Sequence, residues 1–454
     1  MTREAIGKYR WTIVALLFFS TTINYMDRQV IGYLKPLFSL PVDKGGLGWT
    51  GTDFATVTSA FTFCYAMITV FAGWIIDKIG TKLGLALSLI TWSVFGMLNA
   101  LCGGAVLNHA IVRSLFGIGE AGNFPASIKT VAEWFPKKER ALATGIFNSG
   151  SNIGAMIASL TVPVIAYRVW FDGAIKGWQM AYILTGGIGF LWLIFWFKFY
   201  NPPSKQKNLS KEEYDYIHSD DTETNSLIVE EDKAKVSWLK LLGYRQTWAF
   251  FFGKFMTDGI WWFLLFWLPD YMKKQFNMEG HAIMIPLFMV YGVAIIGSVS
   301  GGGFPIFFIN KGMETYKARM LAMFLIAILP LVLLSTQYFG DVSVFGDNAY
   351  VYALCVICLG AAAHQAWSAN LFTTVSDMFP KKAVGSVTGI GGLAGGLGGV
   401  LVQQLAGRLS DHYQGLGHVQ TAYSIMFAIC ALSYITAWAI MKAFVPKYNP
   451  ITNL

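Results

Sequence analysis

Charged residues are scarce in this sequence, at 13% of its 454 positions, where a soluble globular chain carries about 25%. That shortage excludes a water-soluble domain. The 55% of residues that are hydrophobic, 16% of the chain being aromatic, outrun what a soluble core absorbs and suit a bilayer. Cysteine is also scarce. Cys64, Cys102, Cys355, Cys358 and Cys430 all lie in apolar stretches. Cys355 and Cys358 have CxxC spacing without a second pair or a histidine cluster, so they read as packed helix residues rather than a disulfide, zinc or haem site. No metal and no cofactor is expected. The longest polar stretch, 201–246, is too short for a soluble catalytic domain. A small-x-small cleavage site is missing from the N-terminal apolar run, which therefore reads as a retained first helix.

What is present is a series of apolar runs. Twelve of them, near 11–33, 53–76, 83–105, 107–132, 141–167, 178–200, 247–272, 282–309, 319–338, 349–376, 385–408 and 420–443, can each cross a hydrocarbon core of about 30 Å. The connections alternate in charge. One set holds basic residues such as Arg3, Lys78, Lys82, Lys137, Lys138, Lys381 and Lys382; the other holds Asp43, Asp172, Asp341, Asp347 and Asp411. By the positive-inside rule both termini are cytoplasmic, in a multi-pass protein of the inner cell membrane. The net charge of +8 is then topology, not a nucleic-acid footprint.

The polar stretch 201–246 opens with Pro202 and Pro203, and Ser210 with Glu213 fits a capping box that starts a short amphipathic helix. It separates an N-terminal half, 1–200, from a C-terminal half, 247–454. The halves are related: "EWFPKKERALATG" at 133–145 and "DMFPKKAVGSVTG" at 377–389 align without gaps. Internal repeats of this kind build secondary transporters, with substrate held between the halves. The expected fold is all-α, with twelve transmembrane helices in two six-helix halves.

Among the charges inside these spans, four stand out in the first half: Asp27 and Arg28 in the first span, Arg113 and Glu120 in the fourth. One charge at a helix centre costs about 2.5–3.5 kcal/mol, so four facing lipid would cost roughly 10–14 kcal/mol. They must face one another or a wet cavity. Arg113, Gly117 and Glu120 share one helix face, with Arg113 and Glu120 about 10 Å apart along it. Two readings stand. The charges form two buried ion pairs that only join helices, or they carry an anion. Arg28, fork-shaped and always charged, suits a carboxylate, while Asp27 and Glu120 suit proton carriage, their protonation depending on burial and on a neighbouring arginine.

The loop "GWIIDKIGTK", 73–82, fits the pattern G-x-x-x-D-K/R-x-G-x-K/R and resembles that of the major facilitator superfamily. The resemblance implies that Asp77 and Lys78 latch the halves on the cytoplasmic side, whereas "PIFFINKG" at 305–312 lacks the aspartate. Glu133 and Asp377, equivalent in the repeat, are expected to pair with basic residues as part of this gate. "NYMDRQVIGYL", the long stretch from Arg113 to Ala155, and "HQAWSANLFTTVSDMFPKKAVGSVTGIGG" resemble the anion:cation symporter family, most of all its hexuronate and sugar-acid branch. In that family the carboxylates matching Asp27 and Glu120 are proton sites and the arginine matching Arg28 grips the substrate. Arg113 would be the switching partner of Glu120 or Asp27.

The implied partners are a small organic anion, protons and the lipid bilayer, with one chain sufficient. The rest of a sugar-acid site needs hydroxyl-binding groups and an aromatic wall. Candidates are Tyr25, Tyr65, Asn148, Ser151 and Asn152 in the first half, and Gln365, Trp367, Ser368 and Asn370 in the second. His364 is equivalent to Glu120 in the repeat and reads either as packing or as a second switching group. Lys254 and Asp258 are spaced to pair with each other, and Trp261 or Trp262 is expected over the substrate. The glycines of "GIGGLAGGLGGV", 389–400, lack phosphate-loop spacing and read as a close helix-packing surface.

Overall fold

The computed structural model describes residues 7–219 and 238–451, with side chains at all of these except 137, 138, 141, 381 and 382. Arg3 therefore lies outside the described residues, as do the side chains of the Lys137–Lys138 and Lys381–Lys382 pairs. The first half comprises α1 (Tyr9–Phe38), α2 (Gly51–Ile79), α3 (Thr81–Leu98), α4 (Val106–Glu120), α5 (Asn123–Trp134), α6 (Lys137–Ala166) and α7 (Gly177–Phe199). Two short helices follow, α8 (Lys211–Ile217) and α9 (Trp238–Leu241). The second half begins with α10 (Arg245–Phe276), α11 (Met284–Ile309) and α12 (Thr315–Ile328), which a 3-10 segment extends to Ser335. Short α13 (Thr336–Phe339) and α14 (Val342–Phe345) lead to α15 (Ala349–Met378), α16 (Lys381–Gly415) and α17 (Val419–Phe444). With α4–α5 taken as one span, six spans precede the central segment and six follow it.

Among the described residues, ten helices are long and apolar enough to cross a membrane. The two spans that are not, α1 and α4–α5, carry Asp27, Arg28, Arg113 and Glu120. Polarity dilutes α1, and a turn at Ala121–Gly122 splits the fourth span just after Glu120. The sequence reading had this span as one continuous run.

The repeat is also a repeat of backbone geometry. α5 ends on Trp134 and α15 on Met378, each followed by an extended Phe (φ −131° at Phe135, −118° at Phe379). Pro136 and Pro380 then start α6 and α16 with φ of −61° and −63°. Proline fixes this φ and has no N–H to leave unpaired at a helix start, so the same F-P pair makes the same corner twice.

α8 does not carry the full capping box. Ser210 accepts from the Glu213 N–H, but the Glu213 carboxylate turns to α1, taking the N–H groups of Tyr9 (3.1 Å) and Arg10 (3.0 Å) and the Arg10 guanidinium (3.1 Å). Arg10 also meets Glu139 at 2.9 Å. The central segment is thus tied to the start of α1, and the Ile451 N–H donates to Met378 O nearby in the second half's terminal corner. Both described chain ends lie at this terminus-bearing end of the helices.

The halves meet at the opposite end. Lys35 of α1 reaches Asp270 of α10 at 2.6 Å. Asp411 of α16 accepts the N–H groups of Gly51 (2.5 Å) and Thr52 (2.7 Å) at the start of α2. Below them Gln403 donates to Thr62 (2.9 Å) and Gln404 to Ser59 (3.1 Å). Every ion pair and side-chain hydrogen bond between described residues of the two halves lies in this far portion. The glycines of α16 permit it: a Cβ at Gly396 would run into Ala66 Cβ and one at Gly407 would stand 2.7 Å from Gly51 O, both on α2, while Gly395 and Gly399 lie against Asp258 and Trp262 of α10, so the run is a packing surface.

Candidate functional site

Where α1 crosses α4, four ionisable side chains are sealed from solvent: Asp27 is 3% exposed, Arg28 2%, Glu120 1% and Arg113 0%. Gly117 and Gly119 bring α4 close to its neighbours, since a Cβ there would stand 2.7 Å from Phe61 O and 2.5 Å from the Trp92 nitrogen.

Arg28 and Glu120 form an ion pair through one oxygen. Both Nε and Nη2 of Arg28 lie 2.8 Å from Glu120 Oε2, while Oε1 has no hydrogen-bond partner among the described residues. Asn24, one turn earlier on α1, accepts from Nη2 at 3.3 Å and fixes the fork's rotation. Aromatic faces line the guanidinium: Tyr25 at 4.4 Å, Tyr65 at 4.7 Å, Trp262 at 5.4 Å and Phe61 at 5.6 Å. A cation over such faces is held by the ring quadrupoles while its edge stays free for an anion. Trp262 comes from α10, so the second half contributes a wall to a charge held by the first.

Asp27, next to Arg28 but about 100° round the helix, points to a different neighbourhood, among Trp92, Thr185 and Arg113. Neither of its oxygens meets hydrogen-bond geometry with a described residue. Arg113 donates through Nη2 to the Arg28 carbonyl at 3.3 Å, and its Nε and Nη1 are unpaired among the described residues. Its guanidinium lies over Phe61 (4.9 Å) and Phe116 (4.7 Å). Of the two ion pairs a merely structural reading asks for, one is made.

The remaining candidates divide. Tyr25 and Tyr65 stand at the charged cluster, while Asn148, Ser151 and Asn152 lie along α6, exposed to half-buried, with Ser151 bonded to its own helix at Asn148 O (2.7 Å). Gln365 and Ser368 are half-buried on α15. Trp367 and Asn370 are packing residues here. Trp367 is fully buried with its ring 5.8 Å from Tyr434, and Asn370 donates to Gly301 O (2.7 Å) and Ala366 O (2.9 Å), joining α15 to α11. Both point away because the period of α15 sends them to the bundle side.

His364 meets none of the four charges: its Nδ1 lies 2.8 Å from the Tyr434 hydroxyl and its ring stacks on Trp261 at 5.0 Å. Lys254 and Asp258 pair at 2.6 Å.

At the terminus-bearing end, Asp77 pairs with Lys129 (2.9 Å) and Asp377 with Arg319 (2.6 Å), each within its own half. Lys78 lies over the Trp74 ring at 4.0 Å. Glu133 accepts from the hydroxyls of Thr81 (2.9 Å) and Tyr200 (3.0 Å), and forms no ion pair among the described side chains, which do not include those of Lys137 and Lys138. Sequence reasoning missed Asn24, Lys35 and Asp270. The last two were legible only as isolated charges near span ends. No group of three or more histidine, cysteine or acidic residues that could hold a metal occurs among the described residues.

Fold and cluster together define a multi-pass membrane protein of two six-span halves with ionisable side chains buried where they meet. The chain belongs to the Major Facilitator Superfamily, whose sequence model matches residues 17–403; it is a transporter, not an enzyme. It is 30% identical over 438 residues to the hexuronate transporter of Escherichia coli (strain K12), covering 95% of this chain and 94% of that one. It is 27% identical over 436 residues to the D-galactonate transporter of Escherichia coli O6:H1, at 94% and 95% coverage. A solved structure of a bacterial homologue of the human lysosomal transporter Spinster, inward-facing, superposes with a TM-score of 0.75 at 15% identity. It covers 96% of this chain and 99% of that one.

Proposed function

We propose that this protein is a proton-coupled symporter that imports a small carboxylated sugar, a hexuronate or a related sugar acid, by alternating access. The observation that carries the proposal is the Arg28–Glu120 pair: a buried guanidinium gripped through a single carboxylate oxygen and walled by Tyr25, Tyr65 and Trp262. The full-length similarity to transporters of hexuronates and galactonate supports the substrate class.

A substrate carboxylate and Glu120 compete for the same fork. A proton on Glu120 removes its charge and frees Arg28 for the substrate; loss of that proton returns Glu120 to Arg28 and ejects the anion. Asp27, buried beside Arg113, is a second place for a proton. Asn148, Ser151, Asn152, Gln365 and Ser368 supply hydroxyl-binding groups from the two halves. Both termini face the cytoplasm, so the end where the halves meet faces outside and the arrangement opens inward. Asp77, Lys78 and Asp377 then bridge the halves in the opposite state. One chain holds the whole site and acts as a monomer.

Two protons with one monoanion carry one net positive charge, to which the membrane potential adds about 2.3 kcal/mol per 100 mV. A single proton makes the cycle electroneutral. The decisive experiment is uptake of labelled glucuronate, galacturonate and galactonate into proteoliposomes under an inward proton gradient, with and without a potential. Asp27→Asn is expected to retain substrate exchange and lose gradient-driven accumulation. Unaltered accumulation in that variant would remove Asp27 from the coupling, and no uptake of any of the three acids would overturn the substrate class.

A further inference from the structure

Inside the first half, a run of buried polar groups extends from Asp27 and Arg113 toward the end where the halves meet. Helical spacing assembles it. Trp178, Tyr182 and Thr185 share one face of α7, Trp92 and Asn99 share one face of α3 and the turn after it, and His109 and Arg113 are one turn apart on α4. α1 adds Asp27. All of these residues are 0–3% exposed. Asp27 stands among Trp92, Thr185 and Arg113, and Arg113 is within electrostatic reach of Tyr182. The Tyr182 and Trp178 rings are 6.5 Å apart, and those of Trp178 and His109 are 6.1 Å apart.

Where these groups converge, protein partners run out. Both Asp27 oxygens, Nε and Nη1 of Arg113, the Tyr182 hydroxyl and the indole N–H groups of Trp92 and Trp178 have no hydrogen-bond partner among the described residues. One such group left dry costs about 1–3 kcal/mol, so a run of five side chains is stable only when water threads it. His109 stands at its mouth. Its Nε2 lies 3.0 Å from Gly103 O in the exposed loop before α4, and its Nδ1 lies 3.4 Å from Asn99 Oδ1. Asn99 commits its Nδ2 to Phe95 O (2.8 Å) and Gly96 O (3.3 Å), so its oxygen faces the ring. Either tautomer of His109 therefore keeps one bond and the imidazolium keeps both, which suits a group that takes a proton on one nitrogen and releases one from the other.

We infer that these residues line a hydrated file through which Asp27 takes its proton from the outer face, apart from the path that the anion follows between the halves. The file is enclosed by α1, α3, α4 and α7 of one half, so it does not open and close with the seam. A proton that reaches an Asp27 oxygen is replaced at the mouth from bulk water, and no group along the file changes its net protonation. The charged and titratable groups around it are Arg113 and Glu120 of α4, Tyr182 of α7 and Cys102 before α4. Ionised Asp27 offsets the Arg113 charge and draws a proton in; once Asp27 is neutral, the unopposed guanidinium repels another. The inference rests on the proton-coupled reading and the orientation proposed above.

The first test is exchange of indole N–H groups in heavy water, read by nuclear magnetic resonance on the purified full-length protein. Trp92 and Trp178 are expected to exchange at least tenfold faster than Trp367, whose indole N–H is equally buried and unpartnered but lies outside the file. Exchange of Trp92 no faster than that of Trp367 would overturn the file. The second test is transport of labelled glucuronate in proteoliposomes. His109→Phe, which fits the box of Phe38, Trp49 and Trp178, is expected to slow gradient-driven uptake about tenfold and leave counterflow exchange unchanged. Tyr182→Phe removes only the hydroxyl and is expected to give the same split, about threefold. A split absent from both variants would overturn the route, because a merely structural role lowers uptake and counterflow together. Uptake without dependence on a proton gradient in the unaltered protein would overturn the symport reading while leaving the indole exchange intact.

Discussion

At the end that carries the chain termini, acidic side chains find partners without bridging the halves: Asp77 with Lys129 and Asp377 with Arg319 inside one half each, and Glu213 of the central segment with Arg10 of the first. At the opposite end two of them reach across, Asp270 to Lys35 and Asp411 to the first amides of α2, while Glu279 stays with Lys273 of its own half. The helices are the same ones at both ends, so the difference lies in pairing rather than in composition. A charge paired inside a half travels with it and costs nothing when the halves move. A charge paired across the halves must be released. Conformational state in this fold is therefore written in which partner each carboxylate has chosen, and the Arg28–Glu120 pair sits at the border between the two regimes.

The largest expected effect comes from that border. Arg28→Ala leaves Glu120 buried without its cation, a loss of about 3–5 kcal/mol in comparable cases. Sugar-acid binding, followed by ligand-induced thermal shift, is expected to disappear. Binding retained in Arg28→Ala would move the anion site elsewhere.

Next is Glu213→Ala at the terminus-bearing end, which removes the carboxylate holding Tyr9 and Arg10. Thermal stability is expected to fall by about 1.5–3 kcal/mol, the range for hydrogen bonds to charged groups. Because this contact joins the central segment to the first half and does not bridge the two halves, amide hydrogen exchange at 51–54 should not change. A faster outer end in this variant would break the distinction between the two ends.

A third substitution acts on the outer seam itself. Gly407 faces Gly51, where a Cβ would stand 2.7 Å from the Gly51 carbonyl, so Gly407→Val should hold the halves apart, with overpacking of about 1–3 kcal/mol. The readout is faster exchange at 51–54 together with slower net uptake; tight protection of those amides would show that the seam tolerates bulk.

The smallest effect is expected from Asp77→Asn. Its ion pair with Lys129 is exposed on the aspartate side, and such pairs contribute about 0–1 kcal/mol. Melting should barely move. A large destabilisation would show that Asp77 already holds something together in this arrangement.

The spans, the two halves and the corner repeated at Phe135–Pro136 and Phe379–Pro380 were all readable from local pattern, because apolar length and proline stereochemistry act within a few residues. The same logic located Asp27, Arg28, Arg113 and Glu120, since a charge in an apolar run is conspicuous wherever the chain folds. It did not reveal the break after Glu120, where a turn interrupts a run that stays apolar in composition. Nor did it tell Trp367 and Asn370, which pack inside the second half, from Gln365 and Ser368, one or two residues away.

What the sequence by itself determined was therefore which residues must be buried in the membrane and which helices carry charge, because both follow from the cost of polar groups in hydrocarbon. Only the tertiary structure decided the partners. Glu120 takes Arg28 from 92 residues away and Asp270 takes Lys35 across the two halves. Among the described side chains, Glu133 takes two hydroxyls. Helical periodicity sets the face from which a side chain leaves its helix, but the choice among distant partners depends on how closely helices approach and at what height they cross.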